Sequence, residues 1–392
     1  MIISRCCGPQ MHIVVNRPPN DSFSFRLFTK LVNTAGRNNV DSMYVWPSMI
    51  QPGYLNGIRL DHNIFILAVR DMLSSNLCPL DNSLPYGTPG FDLIKNFARS
   101  NRSKKIILLT SLENLDKEAE GESNLIVISA GGDITNQELY HSKVPPVLEK
   151  NLQSNIPFIS LSRNSRYHRR IATSYLLEKG LHQTGWLSYL SQPVEKAKYN
   201  NFLDSCPWEF RPYQEANKLK ICNGFLKLLD ADYLQRDDLD IYNNCNNDNI
   251  LNFNLRLRPL YKNSFVELVA ETTFSEPSFM LTEKTLNSIL GCNFPIILNG
   301  MGAVAHMREI GFDMFDDIID HSYDTIENPI DRILSAIDLN TRMITDISFV
   351  KDAWNLSTNR FEKNIEVSRS LYSWYERRAA IQFEKLIDDN SF

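Results

Sequence analysis

Short apolar runs bounded by turn-forming residues recur through the first part of the chain: His12–Val15, Met43–Trp46, Asn63–Ala68, Lys105–Thr110 and Asn124–Ser129. Their length and β-branched content suit buried strands, and the segments between them are long enough for helices or crossovers. The rhythm is therefore α/β. Ser111–Ser123 (SLENLDKEAEGES) is charged and helix-forming, and Ala130-Gly131-Gly132-Asp133 follows a run directly, as a tight turn at a strand's carboxyl end would. Such turns border ligand clefts in open α/β sheets.

A second unit is expected to begin near Asn155, with a strand over Ile156–Leu161, a basic turn from Ser162 to Arg170, and a helix from Ile171 to Lys179 stopped by Gly180. Tyr242–Asn254 (YNNCNNDNILNFN) reads as a solvent loop, because Asn competes with regular backbone pairing. The α/β pattern then returns in compact form. Ser264–Ala270 reads as a strand, Glu283–Leu290 as a helix with Thr282 as N-cap and Gly291 as its stop, and Phe294–Leu298 as the next strand, ending at Asn299-Gly300-Met301-Gly302. From Asn328 the pattern is helical, and Val367, Leu371, Trp374 and Ile381 place one apolar face on a last long helix. The expected division is 1–150, 151–350 and a helical segment 351–392, with no internal repeat.

Composition adds bounds rather than a fold. A chain of 392 residues exceeds what one hydrophobic core usually organises, so two domains are expected. Hydrophobic residues at 43% and charged residues at 22% exclude wholesale disorder. The formal charge of −5 gives no global attraction to nucleic acid or an anionic membrane, so any polyanion must bind locally. The seven cysteines, at 6, 7, 78, 206, 222, 245 and 292, are scattered without CxxC spacing and read as reduced thiols. The amino terminus carries no long apolar run after a basic start, and the expectation is a soluble cytoplasmic protein.

The segment Glu271–Lys284 (ETTFSEPSFMLTEK) joins a strand's end to a helix start. Glu283 complements the positive end of the helix, but Lys284 does not. A cation in a first turn is disfavoured unless an anion sits there too, and a phosphate held by first-turn amides and an ammonium is one solution. The alternative is a Lys284 pointing into water, at a cost of only about 0.3–1 kcal/mol, and on that feature alone it is preferred. The turn Ser162–Arg170 carries four arginines and a histidine where open sheets bind ligands. Arginine forks match diphosphate oxygens, although on its own the run reads by preference as a solvated basic turn before a helix. Asp230-Ala231-Asp232 and Asp238-Leu239-Asp240 have metal-like spacing but read as surface acids. The histidines lack HxH and HExxH spacing, and no metal site is expected. GxSxG, GxxxxGK[ST] and GxGxxG are absent from the sequence.

Taken together these segments resemble the donor half of inverting GT-B glycosyltransferases, particularly the α1,3-fucosyltransferase family. Phe158–Ser162 through Arg169 and on to Gly185 is similar to one segment of that family, and Glu271 through Thr282-Glu283-Lys284, Gly291 and Phe294-Pro295-Ile296-Ile297 to another. Met280-Leu281 stand where the family commonly has an aromatic residue, and Gly311-Phe312-Asp313 to Asp320-His321-Ser322-Tyr323-Asp324 looks more like phage-encoded glycosyltransferase-like proteins. The simpler reading of that tail is a capped turn and a strand edge.

The resemblance implies two Rossmann-type domains facing a cleft, with a C-terminal helix packing back. It implies a nucleotide-sugar co-substrate, UDP- or GDP-linked, with no other cofactor and no metal. Donor contacts would come from Arg169, Glu271, Glu283 and Lys284, with Arg166 and Asn164 beside them. The general base would come from the first domain: Asp133 is the candidate, with Asp61, His62 and Glu138 open. The acceptor would be a glycan or a hydroxylated base in phage DNA, in host cytoplasm in the latter case. A non-catalytic binding protein that keeps the same shell is the alternative expectation.

Overall fold

In the computed structural model, residues 12–14, 23–36, 40–45, 55, 57–69, 90–110, 112–131, 144–162, 167–189, 257–271 and 278–388 are described. The chain divides into two compact units, one of Met1–Glu138, Pro277–Leu281 and Ser370–Phe392, the other of Leu139–Glu276 and Thr282–Arg369. The division at Glu138 falls before the expected 150 because Val144–Lys150 bonds into the second unit. Val147 N donates to Leu290 O at 2.8 Å, and Lys150 Nζ donates to the carbonyls of Tyr261 and Gly291, each at 2.6 Å, and to Asn293 Oδ1.

In the first unit, β1 (His12–Val14), β2 (Val40–Val45), β3 (Ile64–Val69), β4 (Lys105–Thr110) and β5 (Leu125–Ser129) pair in parallel in their order along the chain. Every residue of β3 (IFILAV) is buried, as expected of a parallel strand covered on both faces. Helices α1 (Phe23–Ala35) and α2 (Gly90–Ser100) belong to this unit, and Phe91, Ile94 and Phe97 of α2 share a core with Phe65, Leu67 and Leu108. Phe65 and Phe97 meet edge to face at 5.6 Å. The expected helix over Ser111–Ser123 shrinks to one turn, α3 (Leu115–Glu118). Before it Glu113 is held extended by exchanging backbone bonds with Phe279, and Asn114 turns left-handed; after it Gly121 does the same. Leu112 and Leu115 are thereby delivered to the core, a gain that charge and helix propensity along the segment do not foretell.

In the second unit β6 (Phe158–Ser162) leads to α4 (Tyr167–Glu178) and β7 (Trp186–Tyr189). Then come α5 (Arg258–Asn263), β8 (Val266–Ala270), α6 (Glu283–Leu290), β9 (Phe294–Leu298) and α7 (Ala303–Ile310). The helical stretch follows as α8 (Pro329–Leu339), α9 (Thr341–Thr345), α10 (Ile347–Leu356) and α11 (Thr358–Arg369). The sheet order is β7-β6-β8-β9, again all parallel. Sequence punctuation explains the helix ends: Thr282 caps α6, Asn328 accepts from the amides of Ile330 and Asp331 ahead of Pro329, and Asp346 accepts from Phe349 N. Gly180 ends α4 with φ +72°. Gly291 ends α6 for another reason. Its φ is −68°, but an added Cβ would lie 2.1 Å from the Tyr261 ring, so close approach is what requires glycine.

The final helix, α12 (Leu371–Asp388), belongs to the first unit. The single apolar helix expected through Val367 and Ile381 is broken at Ser370, and the buried face of α12 is Leu371, Tyr375, Ala379 and Phe383 at four-residue spacing. Ile381 is 58% exposed. The Tyr375 ring sets this face by filling the space beside Gly131, where an added Cβ would lie 2.5 Å from it.

The His321–Asp324 segment closes the turn after β9. Tyr323 OH accepts the amide of Ile297 at 3.1 Å, the Asp324 carboxylate accepts those of Val304 and Ala305 at the start of α7, and His321 Nε2 lies 2.8 Å from Met314 O. These are the bonds of a capped turn and a strand edge.

Candidate functional site

Strands β6 and β8 are neighbours, but the chain leaves β6 towards β7 and, after β8, continues on the other side to β9. The connections therefore depart in opposite directions at the carboxyl ends of this pair, which is where open parallel sheets leave a crevice. After β6 come Arg163–Arg166, outside the described residues, and then the first turn of α4 with His168 and Arg169. After β8 comes Glu271, and the first turn of α6 supplies Thr282, Glu283 and Lys284.

Glu271 touches both sides. Its main-chain carbonyl accepts from His168 Nε2 at 2.9 Å and from Arg169 Nη2 at 2.8 Å. Because a carbonyl only accepts, His168 carries its proton on Nε2 in this contact. The Glu271 carboxylate accepts from Thr282 N at 3.0 Å, from the Thr282 hydroxyl, and from the Thr285 hydroxyl at 2.6 Å. Glu271 is 0% and Arg169 2% exposed, so water does not compete for these bonds.

The next layer is half-exposed. Lys284 Nζ lies 2.7 Å from Glu283 Oε1 and 3.3 Å from Thr282 Oγ1, and the Lys284 amide bonds the same Thr282 hydroxyl oxygen at 3.4 Å. Burial opposes the Glu283 charge, but the adjacent Lys284 ammonium together with hydrogen bonds from the backbone and Thr282 outweighs it and holds the carboxyl below its usual range. Lys284 is thus neither simply solvated nor buried. Its charge is presented at the helix start beside an acid.

Arg169, Glu271, Glu283 and Lys284 all lie at this end of the second sheet. Asn164, Arg166, Asp133 and Glu138 lie outside the described residues, as do Asp230, Asp232, Asp238 and Asp240. Among the other base candidates, Asp61 is exposed beside Arg59 at 3.5 Å, and His62 Nδ1 lies 3.1 Å from Asp41 Oδ1. Among the described residues no group of three or more His, Cys, Asp or Glu is arranged to hold a metal ion, and no helix is long and apolar enough to cross a membrane.

Two buried ionic clusters were not foreseen from sequence. At the carboxyl edge of the first sheet, Glu113 accepts from the Ser129 hydroxyl and from Arg378 Nη1 at 2.8 Å, with the Arg378 guanidinium over the Trp374 ring. In the second unit, Lys150 lies near Glu267 and Cys292. Burial pushes the Lys150 ammonium down to about 7 and the Glu267 carboxyl up to about 8. Sequence offered no signal for either, since Glu113 and Arg378 are 265 residues apart and Lys150 lies 111 or more residues from the groups its ammonium bonds.

The fold and site define an α/β protein of two parallel-sheet units, the second with a cationic and acidic cluster at its switch point. No protein-family model matches the chain, and no curated protein matches it. Among solved structures it is similar to the crystal structure of alpha,alpha-trehalose 6-phosphate synthase from Burkholderia multivorans, with 10% identity, 94% of this chain and 77% of that chain covered, and a TM-score of 0.42.

Proposed function

We propose that this protein is a glycosyltransferase of GT-B type that moves a sugar from a UDP- or GDP-linked donor to a hydroxyl acceptor by a metal-independent, inverting mechanism. The observation that carries the reading is the meeting of Arg169, Glu271 and the Thr282–Lys284 helix start at the switch point of the second sheet. Arg169 and Lys284, with Arg166 and Asn164 nearby in sequence, would take the donor diphosphate, and Glu283 the ribose or sugar hydroxyls. In the chemical step the acceptor oxygen bonds to the anomeric carbon while the bond from that carbon to the phosphate oxygen breaks. The electron pair leaves with the nucleoside diphosphate, against the cations, and the acceptor proton passes to Asp133. Two fixed cations at the leaving group supply the charge stabilisation that a divalent ion otherwise gives. The acceptor is a glycan or a hydroxylated base in DNA, and the duplex case carries a steep loss of binding with added salt.

A non-catalytic binding protein is the second reading, favoured by the way Lys284 spends its charge on Glu283 and Thr282. Thermal-shift titration with UDP, GDP, CDP and their sugars, with and without EDTA, separates the two. A selective, EDTA-insensitive rise with one nucleotide, followed by transfer that Lys284→Ala removes, supports the enzyme. No shift with any nucleotide supports the binding protein and ends the donor assignment.

A further inference from the structure

We infer that Glu271 is a positioning residue that holds the two sides of the switch-point site in register through its opposite ends. Its geometry stands alone; only its consequence for ligand binding rests on the donor-site reading. His168 and Arg169 are consecutive residues in the first turn of α4, and both donate to the Glu271 carbonyl. Thr282 and Thr285 frame the first turn of α6, and both donate to the Glu271 carboxylate. Between these sets of bonds lie only the covalent bonds of one residue. All five side chains are buried, so no solvent cushions a misfit and each bond constrains the others.

Charge alone does not explain the arrangement. A carboxylate that served only to compensate the α6 dipole would do so from many positions near the helix start, whereas this one is met by an amide and two hydroxyls at fixed places. The functional meaning is that Arg169, approached from β6, and Lys284, approached from β8, are spaced by Glu271 before any ligand arrives. Such preorganisation is what lets two cations grip one diphosphate without first being ordered by it.

The discriminating variants are Glu271→Asp, which keeps the charge and shortens the reach, and the pair Thr285→Val and Thr285→Ser, which removes and restores one donor. Hydrogen exchange on the full-length protein is followed at residues 167–170 and 282–285. Expected is a rise of roughly tenfold or more at both segments together in Glu271→Asp and Thr285→Val, with Thr285→Ser close to wild type. A rise confined to 282–285 overturns the inference and leaves Glu271 as a local cap. In parallel, UDP and GDP are titrated into the same variants. If wild type binds either, Glu271→Asp weakens it roughly tenfold with Arg169 and Lys284 intact, and unchanged affinity overturns the positioning role. If wild type binds neither, the donor-site reading fails, and the exchange data still decide the coupling.

Discussion

Each sheet places a buried glutamate just beyond the carboxyl end of a strand, Glu113 after β4 and Glu271 after β8, yet the two are used differently. Glu113 meets a cation, Arg378 of α12, together with one hydroxyl. Glu271 meets amide and hydroxyl groups on its carboxylate, and the cation Arg169 is bonded to its carbonyl instead. The topologies differ in the same sense. The first sheet runs in chain order, whereas the second reverses direction between β6 and β8. Where the order reverses, the buried carboxylate is met by neutral donors, while the neighbouring cations bond to other groups, Arg169 to the Glu271 carbonyl and Lys284 to Glu283 and Thr282. A buried acid is therefore informative only together with the identity of its partners.

The sharpest way to break this contrast is to remove one cation from each edge. On the proposed transferase reading, in which Lys284 meets charge developing on the leaving group, Lys284→Ala is expected to lower transfer by about 100-fold or more while the protein stays folded, because its side chain is only partly buried. Single-turnover kinetics beside circular dichroism check it, and full activity would remove Lys284 from the site. Next in size is Lys150→Met, which takes a buried donor away from the Tyr261 and Gly291 carbonyls and Asn293 Oδ1; a loss of about 2–4 kcal/mol in urea unfolding of the second unit is expected. Arg378→Met should cost the first unit about 1–3 kcal/mol, discounted because Arg378 is partly exposed, and should leave nucleotide affinity unchanged. Combining it with Glu113→Gln is expected to recover part of that loss, since no uncompensated charge then remains.

A pH dependence in the second unit completes the set. Burial raises the Glu267 carboxyl to about 8, against the hydroxyls of Tyr261 and Ser288 and the charge of Lys150. Between its ordinary value and about 8 the folded state binds more protons than the unfolded state, so this group's contribution is full at acid pH and is lost as pH rises towards 8. Glu267→Gln should therefore gain stability relative to wild type on going from pH 5 to pH 8, by roughly 3 kcal/mol as an upper bound. Thermal melts at both values test this, and a constant difference would place the Glu267 proton elsewhere.

What could be read from sequence follows the range of the forces involved. β4, α6 and β9 agree with the expected Lys105–Thr110, Glu283–Leu290 and Phe294–Leu298, because a threonine cap, a glycine stop and continuous apolar runs act within a few residues. The single turn at α3 and the buried face of α12 were hidden, since they involve Phe279 and Gly131 from far along the chain. The residues of the candidate site were legible as a set of types, with Glu271 among them. That its two ends bond different helices was not, because no local pattern records which carbonyl an arginine will reach.

The turn after β9 has a further consequence. β9 is the last strand of its sheet among the described residues, and the amide of Phe294 faces inward, to Phe265 O. The outward positions of the alternating pattern are then 295 and 297. The first is a proline with no N–H, and the second has its N–H taken by Tyr323 OH. The β9 edge thus offers neither donor to a passing strand, and the chemistry that fastens one turn also blunts that edge as a template for strand addition.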